Sequence, residues 1–335
     1  MVSGKPIHYD RSVELPVASI IREEISRDGP ITFQRYMELA LYHPQYGYYR
    51  RGRDPFGKAG DYYTAQQLQP VFGILIAARI RALFEELGRP EEFVVVELGA
   101  GRGEMAAALS EFSYLPVEIE QGRLPDRFSG VVFANEFFDA LPVRLVVWRG
   151  GRPREIRVGW NGERCVWVEG EPAERRVAEY LRSYSAVSEE GRLVEVNLEA
   201  LRWMEEIARR LQRGFLFAID YGYTTRESVR FPQGTLMSYR NHVALEDVLA
   251  EPGQRDITAH VPFTALQLHG ADCGLRTVRF ETLAQTLLSA GAGDEFAAAL
   301  AGPTEAERVR RRLQLKTLLV AMGETFRTLL AQKAA

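Results

Sequence analysis

Apolar and mixed segments alternate along the chain in a way that predicts an α/β architecture. Short apolar runs typical of strands lie at 93–98, 115–119, 130–134, 143–148, 155–160, 164–168, 193–196 and 214–219. Helical spacing predicts two short helices within 13–42, one helix over 66–87 and one over 197–213, capped by Asn197. This alternation favours a mainly parallel sheet with helices on both faces.

Two segments need separate treatment. The apolar residues from Leu313 to Leu330 recur at helical spacing and predict a C-terminal amphipathic helix packed on the domain. Residues 42–64 are rich in Gly, Pro, Tyr and charge and have no periodicity. Because a connection of that length is usually functional or disordered, we interpret it as a lid loop in which Asp61 and Thr64 are candidate contacts. Both residues could equally be ordinary turn residues.

Charge and cysteine content exclude several classes of protein. The 335 residues include 42 basic and 45 acidic side chains, a net charge of −3, which gives no electrostatic reason to expect a nucleic acid or an acidic membrane as partner. Cys165 and Cys273 are far apart and predict neither a disulfide framework nor a metal site. No uncharged apolar run approaches the roughly 20 residues of a spanning helix, and no apolar signal core is evident. We therefore expect a cytoplasmic protein.

The stretch "VVVELGAGRGEMAAAL" (94–109) predicts a strand, a glycine turn and the start of a helix, the arrangement of a nucleotide-type site. Its glycines are Gly99, Gly101 and Gly103, but Glu104 stands where a dinucleotide fingerprint has its third small residue. A carboxylate there would repel a pyrophosphate, and Glu97 completes an E-x-G-x-G-x-G pattern that suits a positively charged ligand. S-adenosylmethionine has a sulfonium, an ammonium and no phosphate. The alternative is a structural turn without ligand.

Acidic residues also follow the later strands. Glu118, or alternatively Glu120, is a candidate for holding ribose hydroxyls near the end of the next strand. In "FANEFFDALPV" (133–143), Asn135, Glu136 and Asp139 lie among aromatic residues, where a carboxylate is costly unless it meets a cation or donors. They could instead cap a helix.

Two further segments carry candidate residues. In "FAIDYGYT" (217–224), Asp220 leaves an apolar strand, although an Asx turn would explain it equally well. In "GQRDITAHVPF" (253–263), Asp256 and His260 are four residues apart near a predicted helix start. A capped structural turn is the alternative there.

Several of these segments together resemble one family. "MELALYHPQYGYY", "GDYYTAQQLQPVFG", "VELGAGRG", "ANEFFDALPV", "IDYGY", "GTLMSYRNH", "DITAHVPFTAL" and "MGETF" occur in the order seen in the MidA family of S-adenosylmethionine-dependent methyltransferases. The mitochondrial members act as protein arginine methyltransferases in respiratory complex I assembly. The resemblance covers nearly the whole chain.

The resemblance implies a class I, Rossmann-like methyltransferase sheet with added N-terminal helices and a helical and β insertion. It divides the chain into an N-terminal helical region with the lid loop (1–90) and a methyltransferase domain (91–335). It implies S-adenosylmethionine as cofactor, held by Glu97, the three glycines, Glu118 and Asn135, and no metal. The implied partner is an arginine side chain of a protein, and the resemblance suggests a respiratory-complex subunit.

Arginine chemistry is compatible with the acidic residues. A guanidinium stays protonated in water because its pKa exceeds about 12. We therefore expect Glu136 to orient it and Asp139 or Asp220 to assist, with His260 as a substrate or lid contact.

One departure from the family stands out. Glu97 and Asn135 are 38 positions apart, which leaves no room for the further strand and helix that family members carry there. The alternatives are therefore a non-catalytic assembly or scaffold protein, or a methyltransferase acting on a small molecule. Glu104 disfavours a nicotinamide oxidoreductase.

Overall fold

The computed structural model describes residues 16–50, 65–118, 121–185, 188–240 and 243–334. Its helices are α1 (Pro16–Asp28), α2 (Phe33–Tyr42), α3 (Val71–Glu86), α4 (Arg175–Tyr184), α5 (Leu198–Arg210), α6 (Phe263–Asp272), α7 (Leu283–Gly291), α8 (Ala297–Leu300) and α9 (Glu305–Lys316). Its strands are β1 (Ile31–Thr32), β2 (Val94–Leu98), β3 (Ser113–Val117), β4 (Phe128–Asn135), β5 (Arg144–Arg149), β6 (Arg152–Trp160), β7 (Cys165–Pro172), β8 (Leu193–Val196), β9 (Leu211–Tyr223), β10 (Met237–Arg240), β11 (Val243–Leu245), β12 (Asp256–Thr258), β13 (Val261–Pro262), β14 (Leu275–Thr282) and β15 (Phe326–Lys333).

The main sheet has the strand order β14-β15-β9-β4-β2-β3, and β13 pairs with β9 beside it. Strands β3, β2, β4 and β9 are mutually parallel, whereas β15 runs antiparallel between β9 and β14. Parallel neighbours end at the same edge of a sheet, so the segments that follow β2, β3, β4 and β9 meet there. This edge gathers the predicted glycine turn and the predicted acidic segments.

Helices cover both faces of the main sheet, as predicted. On one face, α3 and α7 bury their apolar residues against Val131, Phe133 and Phe217. On the other face, α5 and α6 pack on Val132 and Leu216. Successive strand residues point to opposite faces, which is why neighbours such as Val132 and Phe133 belong to different cores.

A second sheet joins the N-terminal helices to the insertion. It has the order β1-β6-β5-β8 with β7 also paired to β6, and Ile31 of β1 lies opposite Val158 of β6. Phe33, Tyr36 and Met37 of α2 are buried against it. The N-terminal segment and the insertion thus share one core. The domain division at residue 90 stays a prediction.

The predicted helix from Leu313 to Leu330 is correct only as far as Met322 and wrong from Gly323 onward. The regular helix α9 ends at Lys316, a π-helical turn covers Thr317–Met322, and β15 then begins at Phe326. The apolar residues of β15 fit helical spacing as well. The segment becomes a strand because it lies between β9 and β14. There its backbone is hydrogen-bonded on both sides, and Leu329, Leu330 and Ala331 are buried.

The interval between the glycine turn and β4 is too short to hold a regular helix and two strands. Residues 100–112 form successive turns, with Ala106 N donating to Gly103 O at 3.0 Å and Leu109 N to Met105 O at 3.0 Å, so the predicted helix start there is wrong. Among the described residues of this interval, β3 is the only strand. The described residues between the glycine turn and β4 hold no second strand and no regular helix, while the comparison with family members stays a prediction.

Candidate active site

The glycine turn follows β2 directly and requires its glycines. Gly99, Gly101 and Gly103 have φ angles of 68°, 56° and 73°, in the left-handed region that L-residues with a side chain avoid. A Cβ on Gly99 would lie 3.2 Å from the ring of Phe137. The Gly99 amide donates to Val117 O at 2.9 Å, which fastens the turn to β3. The turn is thus a compact loop at the carboxyl edge of the sheet.

Glu118 lies beside this turn. Its Oε1 atom accepts the amide hydrogen of Gly101 at 2.6 Å. The structure therefore places a carboxylate in contact with the glycine turn, at the end of β3, where the sequence predicted a ribose-binding residue. Glu120 lies outside the described residues.

Glu97 is a fully buried carboxyl group one residue before the end of β2. Its Oε1 accepts from Gln66 Nε2 at 2.6 Å, and its Oε2 accepts from the Tyr114 hydroxyl. Burial raises the pKa of Glu97 from 4.5 to about 8, and the nearby carboxylates of Glu104 and Glu118 add to the rise. With a pKa of about 8, Glu97 is largely neutral at pH 7.

The acid turn, residues 135–140, follows β4 and begins with a strained residue. Glu136 has a φ of 51°, which is uncommon for a residue other than glycine and occurs mostly at functional sites. Its amide donates to Ile219 O at 2.9 Å, while its Oε1 accepts from Asn135 Nδ2 at 3.1 Å and from Ala65 N at 3.0 Å. Burial, followed by the charge of Asp139, raises the pKa of Glu136 to about 8.

Asp220 lies under the acid turn and holds its backbone. One carboxylate oxygen accepts the amides of Phe138 and Asp139 at 3.0 and 3.3 Å, and the other accepts the amide of Tyr221 at 3.0 Å. Burial, Asp139 and Glu136 raise the pKa of Asp220. These contacts make Asp220 a positioning residue for the turn rather than a group with free hydrogen-bonding capacity.

Asp139 is buried beside Asp220 and receives a hydrogen bond from the Tyr221 hydroxyl. Burial raises its pKa to about 6, and the Tyr221 hydrogen bond opposes the rise. Glu136, Asp139 and Asp220 make no salt bridge with any residue in the described ranges. Three carboxyl groups, two of them buried and that of Glu136 partly buried, thus come together without a cation from the described part of the chain.

Asp256 and His260 are four residues apart in the chain but have different surroundings. The Asp256 carboxylate accepts the Tyr49 hydroxyl at 2.7 Å. The His260 ring packs between Tyr221 and Phe231, each with centroids 5.3 Å away, and burial lowers its pKa. The His260 imidazole is therefore neutral at pH 7 and surrounded by aromatic rings. Asp61 and Thr64 lie outside the described residues.

Several buried polar atoms at this edge have no partner in the described chain. They are Asn135 Oδ1, Asp139 Oδ1, His260 Nδ1 and both amide atoms of Gln67. Buried polar groups are nearly always hydrogen-bonded, so unpaired ones point to a ligand. Acidic groups around a cationic ligand, a glycine turn for close approach and unpaired neutral acceptors together fit S-adenosylmethionine. Nowhere in the described ranges do three or more His, Cys, Asp or Glu side chains form a metal site.

Sequence reasoning missed Gln66, Tyr114 and Tyr221, whose side chains contact Glu97 or Asp139. Gln66 follows the "GDYYT" segment, and its polarity amid apolar neighbours was a usable signal. Tyr114 and Tyr221 carried none, because tyrosine is ordinary in strands.

An open, mainly parallel sheet with a glycine turn and acidic side chains at its carboxyl edge defines an α/β enzyme that binds a nucleoside-type ligand at that edge. The family described as "Putative S-adenosyl-L-methionine-dependent methyltransferase" matches residues 110–281, just over half of the chain. The chain belongs to this family, and S-adenosylmethionine is its cofactor.

Solved structures and relatives agree with this membership. A Burkholderia thailandensis protein crystallised with S-adenosyl-homocysteine has a TM-score of 0.84 and is 30% identical, covering 95% of this chain and 92% of that one. The protein arginine methyltransferase NDUFAF7 homologue of Drosophila melanogaster is 28% identical over 74% of this chain and 68% of that protein. The human NDUFAF7 protein is 28% identical over 76% of this chain and 69% of that protein.

The two relatives are mitochondrial by name. Among the helices that the structure describes, none is long and apolar enough to cross a membrane. The cytoplasmic location stays a prediction.

Proposed function

We propose that the methyl acceptor is an arginine side chain of a protein and that the acid turn binds its guanidinium. The observation that carries the proposal is a group of three carboxyl groups, the partly buried Glu136 and the buried Asp139 and Asp220, that meets no cation among the described residues. A buried carboxylate needs a charge partner. An incoming guanidinium would supply it, and the names of the Drosophila and human relatives support arginine as the acceptor.

The three carboxyl groups have different roles in this proposal. Asp220, which is bonded to three backbone amides, holds the turn in place. Glu136 orients the guanidinium by charge-assisted hydrogen bonds, for which the planar fork of arginine is suited. S-adenosylmethionine, when bound, supplies an electrophilic methyl group. Asp139, whose Oδ1 is buried and unpaired within the described chain, takes the proton that the guanidinium nitrogen loses.

The raised pKa values make substrate binding depend on pH. Without substrate, Glu136 and Asp139 have pKa values of about 8 and about 6, so the site holds at least one proton near pH 7. A guanidinium favours the ionised carboxylates and displaces protons on binding. Acceptor affinity therefore rises as the pH increases from 6 to 8.

The partner would be a protein rather than a free small molecule. By the family resemblance, we propose a subunit of a respiratory complex as the substrate. The aromatic side chains around the turn, Tyr49 and Tyr221 among them, would pack on the arginine stem.

The test is Glu136→Gln, which keeps the shape of the side chain and removes its charge. Methylation of proteins in a cell extract is followed with labelled S-adenosylmethionine, and mass spectrometry identifies the modified residue. We expect methylarginine with the unaltered protein and a loss of about a hundredfold or more in the variant. Calorimetric binding of S-adenosylhomocysteine should be unchanged.

Glu23→Gln is the matched control, because Glu23 is exposed on α1. It should leave both measurements as they are. The proposal would be wrong if the Glu136→Gln variant retained full methylation activity, or if the label were found on a residue other than arginine.

A further inference from the structure

The side-chain amide of Gln67 is buried and has no hydrogen-bond partner among the described residues. Both Oε1 and Nε2 are inaccessible to solvent, and neither is bonded to any part of the chain that the structure describes. An amide has two donor hydrogens and an acceptor oxygen. Burying these atoms without hydrogen bonds is unfavourable. A ligand that offers both a donor and an acceptor would remove this penalty.

Gln67 lies on a segment that joins the two halves of the site. Residues 65–67 form a single 3-10 turn before α3. The Ala65 amide donates to Glu136 at 3.0 Å, and the Gln66 amide group donates to Glu97 at 2.6 Å. This turn therefore runs between the end of β2 and the acid turn, next to the predicted cofactor loop.

The charges at the cofactor loop leave one end of the ligand unmatched. Glu104 and Glu118 are each close enough to Glu97 to raise its pKa, and the three acidic groups suit the sulfonium and ammonium groups of S-adenosylmethionine. Its carboxylate needs a donor instead. The cation of the loop, Arg102, is half exposed and lies 3.8 Å from Glu104.

We propose that Gln67 binds the amino-acid end of S-adenosylmethionine, with Nε2 donating to the carboxylate and Oε1 accepting from the ammonium. One neutral amide then serves both charges of the zwitterion. It adds no further negative charge to an acidic loop. The inference concerns the methyl donor and goes beyond the proposed arginine acceptor, so either can fail while the other stands.

The test compares two ligands that differ in the amino-acid end. S-adenosylhomocysteine carries it and 5′-methylthioadenosine lacks it, while both contain the adenosine. Calorimetric titration of the full chain, with displacement of S-adenosylhomocysteine for the weaker ligand, gives both affinities. We expect Gln67→Ala to weaken S-adenosylhomocysteine about tenfold to a hundredfold and to leave 5′-methylthioadenosine unchanged. Gln67→Glu, which replaces the donor with a negative charge, should weaken it at least as much.

Arg102→Ala separates this inference from its main competitor. If Arg102→Ala selectively weakens S-adenosylhomocysteine while Gln67→Ala does not, the loop arginine binds the carboxylate and the inference is wrong. Equal losses for both ligands in Gln67→Ala would also overturn it, because they would place Gln67 at the adenosine or in the fold. Unchanged affinities in Gln67→Ala would overturn it as well. Gln69→Ala is the neighbouring control, since the Gln69 amide group already has partners in Gly73 and Met105.

Discussion

Replacing Glu97 by glutamine should change how the stability of the ligand-free protein depends on pH. Glu97 is fully buried and accepts hydrogen bonds from Gln66 and Tyr114. Burial raises its pKa from 4.5 to about 8, so the native state holds a proton that the unfolded chain releases near 4.5. Glutamine has the shape of the protonated acid and cannot titrate. The variant therefore keeps the neutral native state at every pH.

The size of the effect follows from proton linkage. Between pH 4.5 and pH 8 the native state binds more protons at this group than the unfolded state, so the free energy of unfolding falls as the pH rises and levels off above 8. At about 1.36 kcal/mol per pKa unit, the full effect is about 5 kcal/mol, of which about 4 kcal/mol falls between pH 5 and pH 9. Relaxation around a buried charge makes this an upper figure.

The assay is urea unfolding of both proteins at pH 5, 7 and 9 without ligand. Glu136, Asp139 and the other titrating groups are common to both, so the difference between the two stabilities isolates Glu97. We expect the difference in the free energy of unfolding, variant minus unaltered protein, to increase by up to about 4 kcal/mol from pH 5 to pH 9. Parallel curves would refute the reasoning, because they would mean that the two donors keep Glu97 ionised throughout.

Three other substitutions test the site and the fold. Gly101→Val places a β-branched residue at a φ of 56°, so S-adenosylhomocysteine binding should fall below detection by calorimetry; retained binding would contradict the assigned turn. Asp220→Ala leaves three backbone amides without their acceptor and should lower the free energy of unfolding in urea by about 2–4 kcal/mol, with a smaller loss in Asp220→Asn. Leu329→Ala, in the interior of β15, should lower it by about 2–5 kcal/mol, whereas Val320→Ala, 70% exposed, should change it by less than about 0.5 kcal/mol; equal effects would argue against the strand.

Local pattern predicted most of the regular structure. The strand at 193–196 is β8, and the helix after Asn197 is α5, whose first turn that side chain caps through the Ala200 amide at 2.8 Å. Both signals are short-range, since strand residues alternate and a cap acts within one turn. The same kind of reasoning failed from Phe326 onward. There, the pairing partners in β9 lie more than 100 positions earlier in the chain.

The candidate site was predicted unevenly for a similar reason. Glu97, Glu118, Asn135, Glu136 and Asp139 follow or end strands, so their grouping could be expected once the strands were taken as parallel. The role of each of these residues could not be predicted. That Asp220 is engaged by three backbone amides depends on how the acid turn lies over β9, which no spacing encodes.

The amino-acid sequence by itself determined the strands from β2 to β9, the helices α1, α2, α3 and α5, the glycine turn, and the acidic residues at strand ends, because propensity, periodicity and left-handed backbone are properties of a few neighbouring residues. Tertiary structure alone decided that β15 is a strand, that Gln66 and Tyr114 hold a neutral Glu97, and that three carboxyl groups come together with no cation beside them in the described ranges. Contacts and burial between distant segments set those outcomes, since desolvation and pairing of backbone groups depend on what the folded chain brings alongside.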